Sequence, residues 1–350
     1  MSLGAWVQSN QRFLTDLFNG PFRGHAVVMD PEPIEPPGPG DLTCSDQPLS
    51  AWIDWALRDY EAQCQRLEAL GDDSVPEVRV HTGTQIFAAA FGCPVHVYPD
   101  SPPCARPRVT TAEEADRLPE PSLDAPPLDR IWEFAERLRE RVGPDVPLRV
   151  PDIQSPFDIA ALVWRKEDFF LALYQHPAAV RRLVEKCHRL LKSFLEEYRR
   201  RFSPCNFIHC PRAWAPPELG CAVSEDEAGS ISARMFEEFS LPSLIDLSRS
   251  FGGLFVHCCA AADHQYSSFR KIPHLRGLNR VFQVPPGPRP AIEAFSGSTV
   301  FLVAWTDLPG IRELLDLARP ETRFLFNLGG QPLEEARRTF ERLRAWCPRS

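Results

Sequence analysis

The 350-residue chain is 43% hydrophobic and 25% charged, ordinary for a soluble globular protein and enough apolar material for a sizeable core. A net charge of −8 with no basic block argues against non-specific nucleic-acid or anionic-membrane binding. Eleven cysteines, an odd number in no disulfide framework, point to reduced thiols; with no leader pattern and no apolar run of ~20 residues, a cytoplasmic chain is expected.

In chain order, residues 1–70 read as helical around a proline-rich interruption at Pro31–Pro39. Before the interruption, His25–Asp30 reads as a first strand ending in an acid, and Val78–Val80 begins a second, leading into His81. Leu128, Ile131, Trp132, Ala135, Leu138 and Val142 have helical spacing, and Leu148–Val150 is the next strand. A long helix opens at Pro177, with Val180, Leu183, Val184, Cys187, Leu191, Phe194, Leu195 and Tyr198 as its apolar stripe. Strands at Asn206–Cys210 and Gly220–Val223, a helix at Ser232–Ser250 and a strand at Phe255–Cys259 follow. Arg280–Val284, Thr299–Ala304 and Arg323–Phe326 are further short apolar runs. Leu333–Trp346 reads as a closing helix with Leu333, Ala336, Phe340, Leu343 and either Ala345 or Trp346 inward. Alternating strands and helices imply parallel βαβ units, and about eight strands favour a (β/α)8 TIM barrel over an open sheet. The expected organisation is one domain over 1–350, with an N-terminal helical elaboration (1–75) on the main barrel (76–350).

Polar residues gather at the predicted strand ends: Asp30, Asp152, His209, Asp226, His257, Asp307 and Asn327. In such barrels the C-terminal strand ends build the pocket. The period of two puts His257 and Cys259 on one face and Cys258 on the other. An imidazole and a thiolate so placed can share a borderline-soft metal such as zinc, or simply pack at the top of a sheet. Asp152 and Gln154 alternate at the third strand's end. Asp226 lies in the acidic run Glu225-Asp226-Glu227, which is either a solvated loop or a source of pocket carboxylates. His209 is a candidate proton donor or substrate ligand, or a structural histidine. Asp263 continues the site beyond Cys259 or starts the next helix. No Gly-x-Gly-x-x-Gly, P-loop or Gly-x-Ser-x-Gly pattern supports nucleotide binding or a hydrolase elbow.

Four segments in order resemble the uroporphyrinogen decarboxylase superfamily, including its zinc-dependent branch that moves methyl groups from methylcobamides to thiols. They are Phe91–Val95 with Pro107–Leu118, Asp152–Val163, Ser224–Ser232 with Met235–Pro242, and Phe251–Cys259. The resemblance implies a TIM barrel with its pocket at the C-terminal face. It also implies zinc bound by His257, Cys259 and a third ligand, with a methyl-corrinoid as donor, presented by a separate corrinoid protein to a small-molecule thiol. The family's second cysteine is missing from the last strand, Phe324–Gly330, and Ala260 replaces its glycine. Cys210 stands in as third ligand, with Cys221 and Glu225 as other substitutes. Asp226, His209 and Asp152 would then shape the catalytic pocket, and Gln154, Asp30, Glu225, Asp263 and Asn327 would contact substrate. The alternatives are a metal-free decarboxylase of uroporphyrinogen or a related acid, in porphyrin biosynthesis, and a non-catalytic corrinoid or tetrapyrrole binder. The arginine-rich N-terminal segment of the decarboxylases is absent. Oligomeric state does not follow from the sequence.

Overall fold

In a computed structural model, which describes residues 2–35, 37–44, 47–98 and 100–349, the central strands are all short and parallel. They are β1 (Ala26–Met29), β2 (Val78–Arg79), β3 (Leu148–Arg149), β4 (Cys205–Asn206), β5 (Cys221–Ser224), β6 (Leu254–Cys258), β7 (Leu275–Arg280), β8 (Val300–Val303) and β9 (Arg323–Leu328). One sheet runs β1-β9-β8-β7-β6-β5 and the other β2-β3-β4. A parallel bridge between Gln154 and Ser224 joins the end of β3 to β5, so the two sheets are parts of one TIM-barrel-type wall. At the other seam the free edge of β1 meets side chains instead of a strand. Asp73 accepts from Val27 N–H at 2.8 Å and Asp72 from Met29 N–H at 2.6 Å. Asp73 is fully buried and also accepts from Arg344 (2.7 Å) and Arg349 (3.0 Å), tying the chain's end across this seam.

Strand alternation sorts the core into two layers. Leu148, Val223, Val256, Cys258, Phe301 and Phe326 belong to a large cluster packed with the outer helices. Ala26, Val28, Ala222, Phe255, Leu302 and Leu325 form an inner cluster with Phe13, Leu14, Leu17 and Phe18 of helix α1 (Leu3–Asn19). That helix therefore plugs the barrel floor, with Phe18 meeting Phe255 edge-on at 5.2 Å. Burial of each such aromatic is worth about 1.5–3 kcal/mol. Arg323 secures the plug by donating to the carbonyls of Asp16 and Leu17 at its C-terminal end.

Helices α2 (Leu49–Leu70), α3 (Leu128–Val142), α4 (Pro156–Val163) and α5 (Pro177–Phe202) follow the periodicity of the sequence, and the stripe read on α5 is buried throughout. Four expectations shift. The helix expected over Ser232–Ser250 is two, α6 (Ala233–Phe239) and α7 (Leu241–Phe251), because Pro242 cannot continue the preceding turn. The strand expected at Arg280–Val284 lies earlier, as β7, where Gly277 lets Phe255 approach: a Cβ there would sit 2.6 Å from its ring. The Asn206–Cys210 strand is laddered only at its start, since Asn206 Oδ1 takes the Ile208 N–H at 3.1 Å. Leu333, on the closing helix Leu333–Trp346, is exposed, while Ala336, Phe340 and Leu343 are buried as expected. The Gly252-Gly253 pair is a packing requirement. Gly252 has φ +88°, and a Cβ on Gly253 would lie 2.3 Å from the Leu219 carbonyl.

Candidate metal centre and cleft

The end of β6 brings His257 and Cys259 to the same side, with His257 Nε2 2.9 Å from Cys259 Sγ, while Cys258 is buried toward the helices. The ring orientation of His257 is fixed from behind. Asn279 Nδ2 donates to the Leu302 carbonyl, which leaves Asn279 Oδ1 to accept from His257 Nδ1–H at 2.5 Å. The imidazole is thus held in the tautomer whose Nε2 lone pair faces Cys259, the arrangement that outer partners give to metal-ligating histidines. Asp226 completes the group. One ligand atom each from Asp226, His257 and Cys259 lie within 4.8 Å of one another. Among the described residues no other cluster of three such groups meets this spacing, and Cys210 is not a member.

Asp226 is positioned by its neighbours. Its Oδ1 accepts the Cys259 backbone N–H at 2.6 Å. Its own N–H and that of Glu227 donate to the two oxygens of Asp158, at 2.7 and 3.1 Å. Asp158 is buried near the start of α4, where its N–H is capped by Ser155 Oγ. Cys259 has its pKa pushed up to about 11, by partial desolvation first and the Asp226 carboxylate second.

Asp152 lines a cleft of about 760 Å³ together with His81, Thr82, Gly83, Asp41 and Tyr98. Its Oδ1 accepts from Gln154 Nε2 at 2.7 Å and its backbone N–H donates to Thr82 Oγ1 at 3.2 Å. Burial raises its pKa, against the lowering effect of Gln154 and Arg79. His209 is buried, with Nε2 3.0 Å from Ser224 Oγ. Burial first, and His257 second, hold it well below the usual histidine range, so it is neutral at pH 7. Cys210 is half-buried, with Asp152, Arg79 and Cys259 among the charges that act on it and its pKa pushed up to about 12 chiefly by burial. Asp30 and Asn327 lie on a separate recess of about 340 Å³ at the ends of β1 and β9, with Asp30 Oδ1 3.3 Å from Arg212 Nε. Asp307 caps the helix Leu308–Leu317 through Gly310 N–H, and Asp263 opens a short 3-10 turn.

Glu225 departs from its expected place at the substrate or the metal. It follows Ser224 by one residue, so alternation turns it toward the helices, where it is fully buried and accepts from Ser240 Oγ at 2.7 Å. Burial pushes its pKa up from 4.5 to about 7. The folded chain keeps this proton where an unfolded glutamate releases it. The group's stabilising contribution is therefore full below pH 4.5 and is lost as pH rises through 7. Glu225→Gln is expected to remove on the order of 2–3 kcal/mol of stability change between pH 5 and 8, read as urea midpoints of both proteins. Equal slopes for the two would refute this.

Asn279, Arg79 and Trp305 were not expected. Asn279 carried a signal, since β7 read from Leu275 puts it opposite His257. Arg79 is inside the wall near Asp152, its Nε without a partner among the described residues and its pKa lowered to about 10 by burial and then by Arg149.

The family model for uroporphyrinogen decarboxylase matches residues 60–202. That stretch, residues 60–202, resembles the uroporphyrinogen decarboxylase family. Among solved structures, a methyltransferase from Methanosarcina mazei is similar in fold, with a TM-score of 0.64 at 14% identity over 95% of this chain and 98% of that one. No curated protein matches the sequence. No helix among the described residues is long and apolar enough to cross a membrane.

Proposed function

We propose that the chain is a zinc-dependent methyltransferase that moves a methyl group from a corrinoid to a small-molecule thiol. The observation that carries this is the Asp226, His257 and Cys259 group, with ligand atoms within 4.8 Å and His257 Nε2 turned inward by Asn279. One nitrogen, one sulfur and one carboxylate oxygen fit zinc, and three protein ligands leave a fourth position open, as in catalytic sites. Asp226 thus takes the place expected of Cys210. When bound, zinc would acidify the substrate thiol and hold it as a thiolate.

The chain's own residues supply the rest. Asp226 fixes the Cys259 backbone, Asn279 fixes the imidazole, and neutral His209 packs behind through Ser224. Asp152, whose acidity burial weakens, is the carboxylate on the cleft wall that takes the thiol proton. A methyl-corrinoid would supply the methyl group to the thiolate sulfur and keep the electron pair of the bond that breaks. A separate corrinoid protein would present that donor at the cleft mouth.

A second reading, decarboxylation of a carboxylated tetrapyrrole without metal, draws support from Arg79, whose Nε lacks a partner among the described residues and suits an anionic group. Two measurements separate the readings: zinc in protein purified without chelator, and thioether formed from methylcobalamin and a small thiol. About one zinc per chain with transfer is expected, and neither would refute the proposal. Asn279→Leu should weaken zinc binding roughly 10–100-fold, since His257 loses its orienting partner.

A further inference from the structure

The N-terminal face of the barrel carries a recess of about 520 Å³, at the opposite end of β7 from Asn279. One wall comes from the segment Arg270–Arg276 that leads into β7. The other comes from Ala294–Thr299, which joins the helix Arg289–Phe295 to β8. Arg270, His274 and Arg276 line it, and no acidic residue does. In a chain of net charge −8, such a group makes a local positive field that draws anions. Arg182 and Arg189 on the outer helix α5, by contrast, each hold a carboxylate through two hydrogen bonds.

The nitrogens of the recess are open and uncommitted. Arg270 and His274 are exposed, and among the described residues neither side chain has a hydrogen-bond or ionic partner. Arg276 donates through Nη1 to Asn19 Oδ1 at 2.6 Å, which fixes its guanidinium plane. Its Nε is buried, whereas Nη2 is neither buried nor bonded among the described residues. His274 is held at φ +47°, with its carbonyl accepting the Leu254 N–H of β6 at 3.0 Å. Glycine would meet that backbone demand at lower cost, so an imidazole there points to a use outside the fold. Ser298 Oγ donates to the Phe295 carbonyl at 3.0 Å, so what it offers a ligand is lone pairs.

Two guanidinium groups and an imidazole suit an oxyanion with more than one charge and several acceptor oxygens. A monocarboxylate has two oxygens and one charge, and would leave a cation idle. A phosphate monoester carries three terminal oxygens and nearly two charges at pH 7. The volume falls in the range of small-molecule sites, which leaves room for a body beyond the phosphate. We propose that this recess is a second small-molecule site, binding a phosphate monoester with a hydroxylated body. The site stands whether or not the chain transfers methyl groups.

The test is calorimetric titration of the full chain with ribose 5-phosphate, ribose and inorganic phosphate. Ribose 5-phosphate is expected to saturate one site, and ribose to show no binding by about 10 mM. Arg270→Gln and Arg276→Gln should each raise the ribose 5-phosphate Kd about tenfold, through loss of a charge-assisted contact. Arg338→Gln, which removes an exposed charge on the closing helix, should leave that Kd unchanged. His274→Gly should raise it about threefold and melt no lower than the parent, because glycine adopts positive φ freely. If Arg276→Gln fails to fold once Asn19 loses its donor, Arg270→Gln carries the test. No saturation by about 10 mM, ribose binding as tightly as its phosphate, or a Kd that Arg270→Gln leaves within about twofold would each overturn the site. Inorganic phosphate binding as tightly as the ester would overturn the hydroxylated body and reduce the site to one for the free ion. Zinc content and thioether formation should be the same in every variant, so failure here leaves the methyl-transfer reading untouched.

Discussion

Loss of bound zinc, from about one per chain to none, is the expected result of the double substitution His257→Ala, Cys259→Ala. The two removed groups are the nitrogen and sulfur ligands, which give the site its preference for a borderline-soft ion. What remains is Asp226, a lone carboxylate already accepting the Cys259 N–H, and one oxygen ligand does not hold zinc against water. Thioether formation should fall with the metal. The fold should survive, because Cys259 is exposed and His257 sits at the C-terminal end of β6. The main cost is Asn279 Oδ1 left without its donor, about 1–3 kcal/mol. Cys210→Ala is the companion measurement. Full zinc content there supports Asp226 as the third ligand, and its loss would restore Cys210 to that place. Zinc retained by the double variant would refute the site altogether.

The largest effect on stability is expected from Glu77→Ala, about 3–5 kcal/mol in urea unfolding. Glu77 is fully buried just before β2, with Oε1 3.2 Å from Arg149 and Oε2 accepting from Asn206 Nδ2 at 2.7 Å. Its backbone N–H and carbonyl are both engaged by the Gln63 side chain of α2, at 3.0 and 2.9 Å. One residue therefore joins α2, β2, β3 and β4 at the narrow sheet, where ladders of two residues provide little backbone bonding. Removing the carboxylate strands the Arg149 charge, which is also buried. Glu77→Gln, which keeps an acceptor for Asn206, should cost less than the alanine. A loss under about 1 kcal/mol for alanine would show that Arg149 finds another partner.

The barrel class and the His257–Cys259 face were legible because both rest on local periods. Alternation of strands and helices gave the wall, and the period of two separated Cys259 from Cys258. The same alternation, carried past Ser224, turns Glu225 to the helices and Asp226 to the side of His257 and Cys259, so that distinction was also in the sequence. Asp226 as companion of His257 was not legible as a ligand. It comes from the end of a neighbouring strand, and only the register of Ser224 against His257 brings it there. Arg79 and Trp305 lay beyond reach for another reason. An arginine set partly inside the wall and an exposed tryptophan run against the usual placement of their residue types, so composition points away from both.

The seam beside β1 bears on how the protein is made. The first strand is complete by residue 29, yet the arginines that clasp Asp73 beside it stand at 344 and 349. A ribosome delivers those arginines some three hundred residues after the strand, at a rate of about 5–20 residues per second. For that interval β1 also lacks β9, its only ladder partner among the described residues, and is an open edge of the kind that recruits other strands. The hoop is thus fastened long after its first strand is made, and the growing chain is most exposed to misassembly while it waits for its clasp.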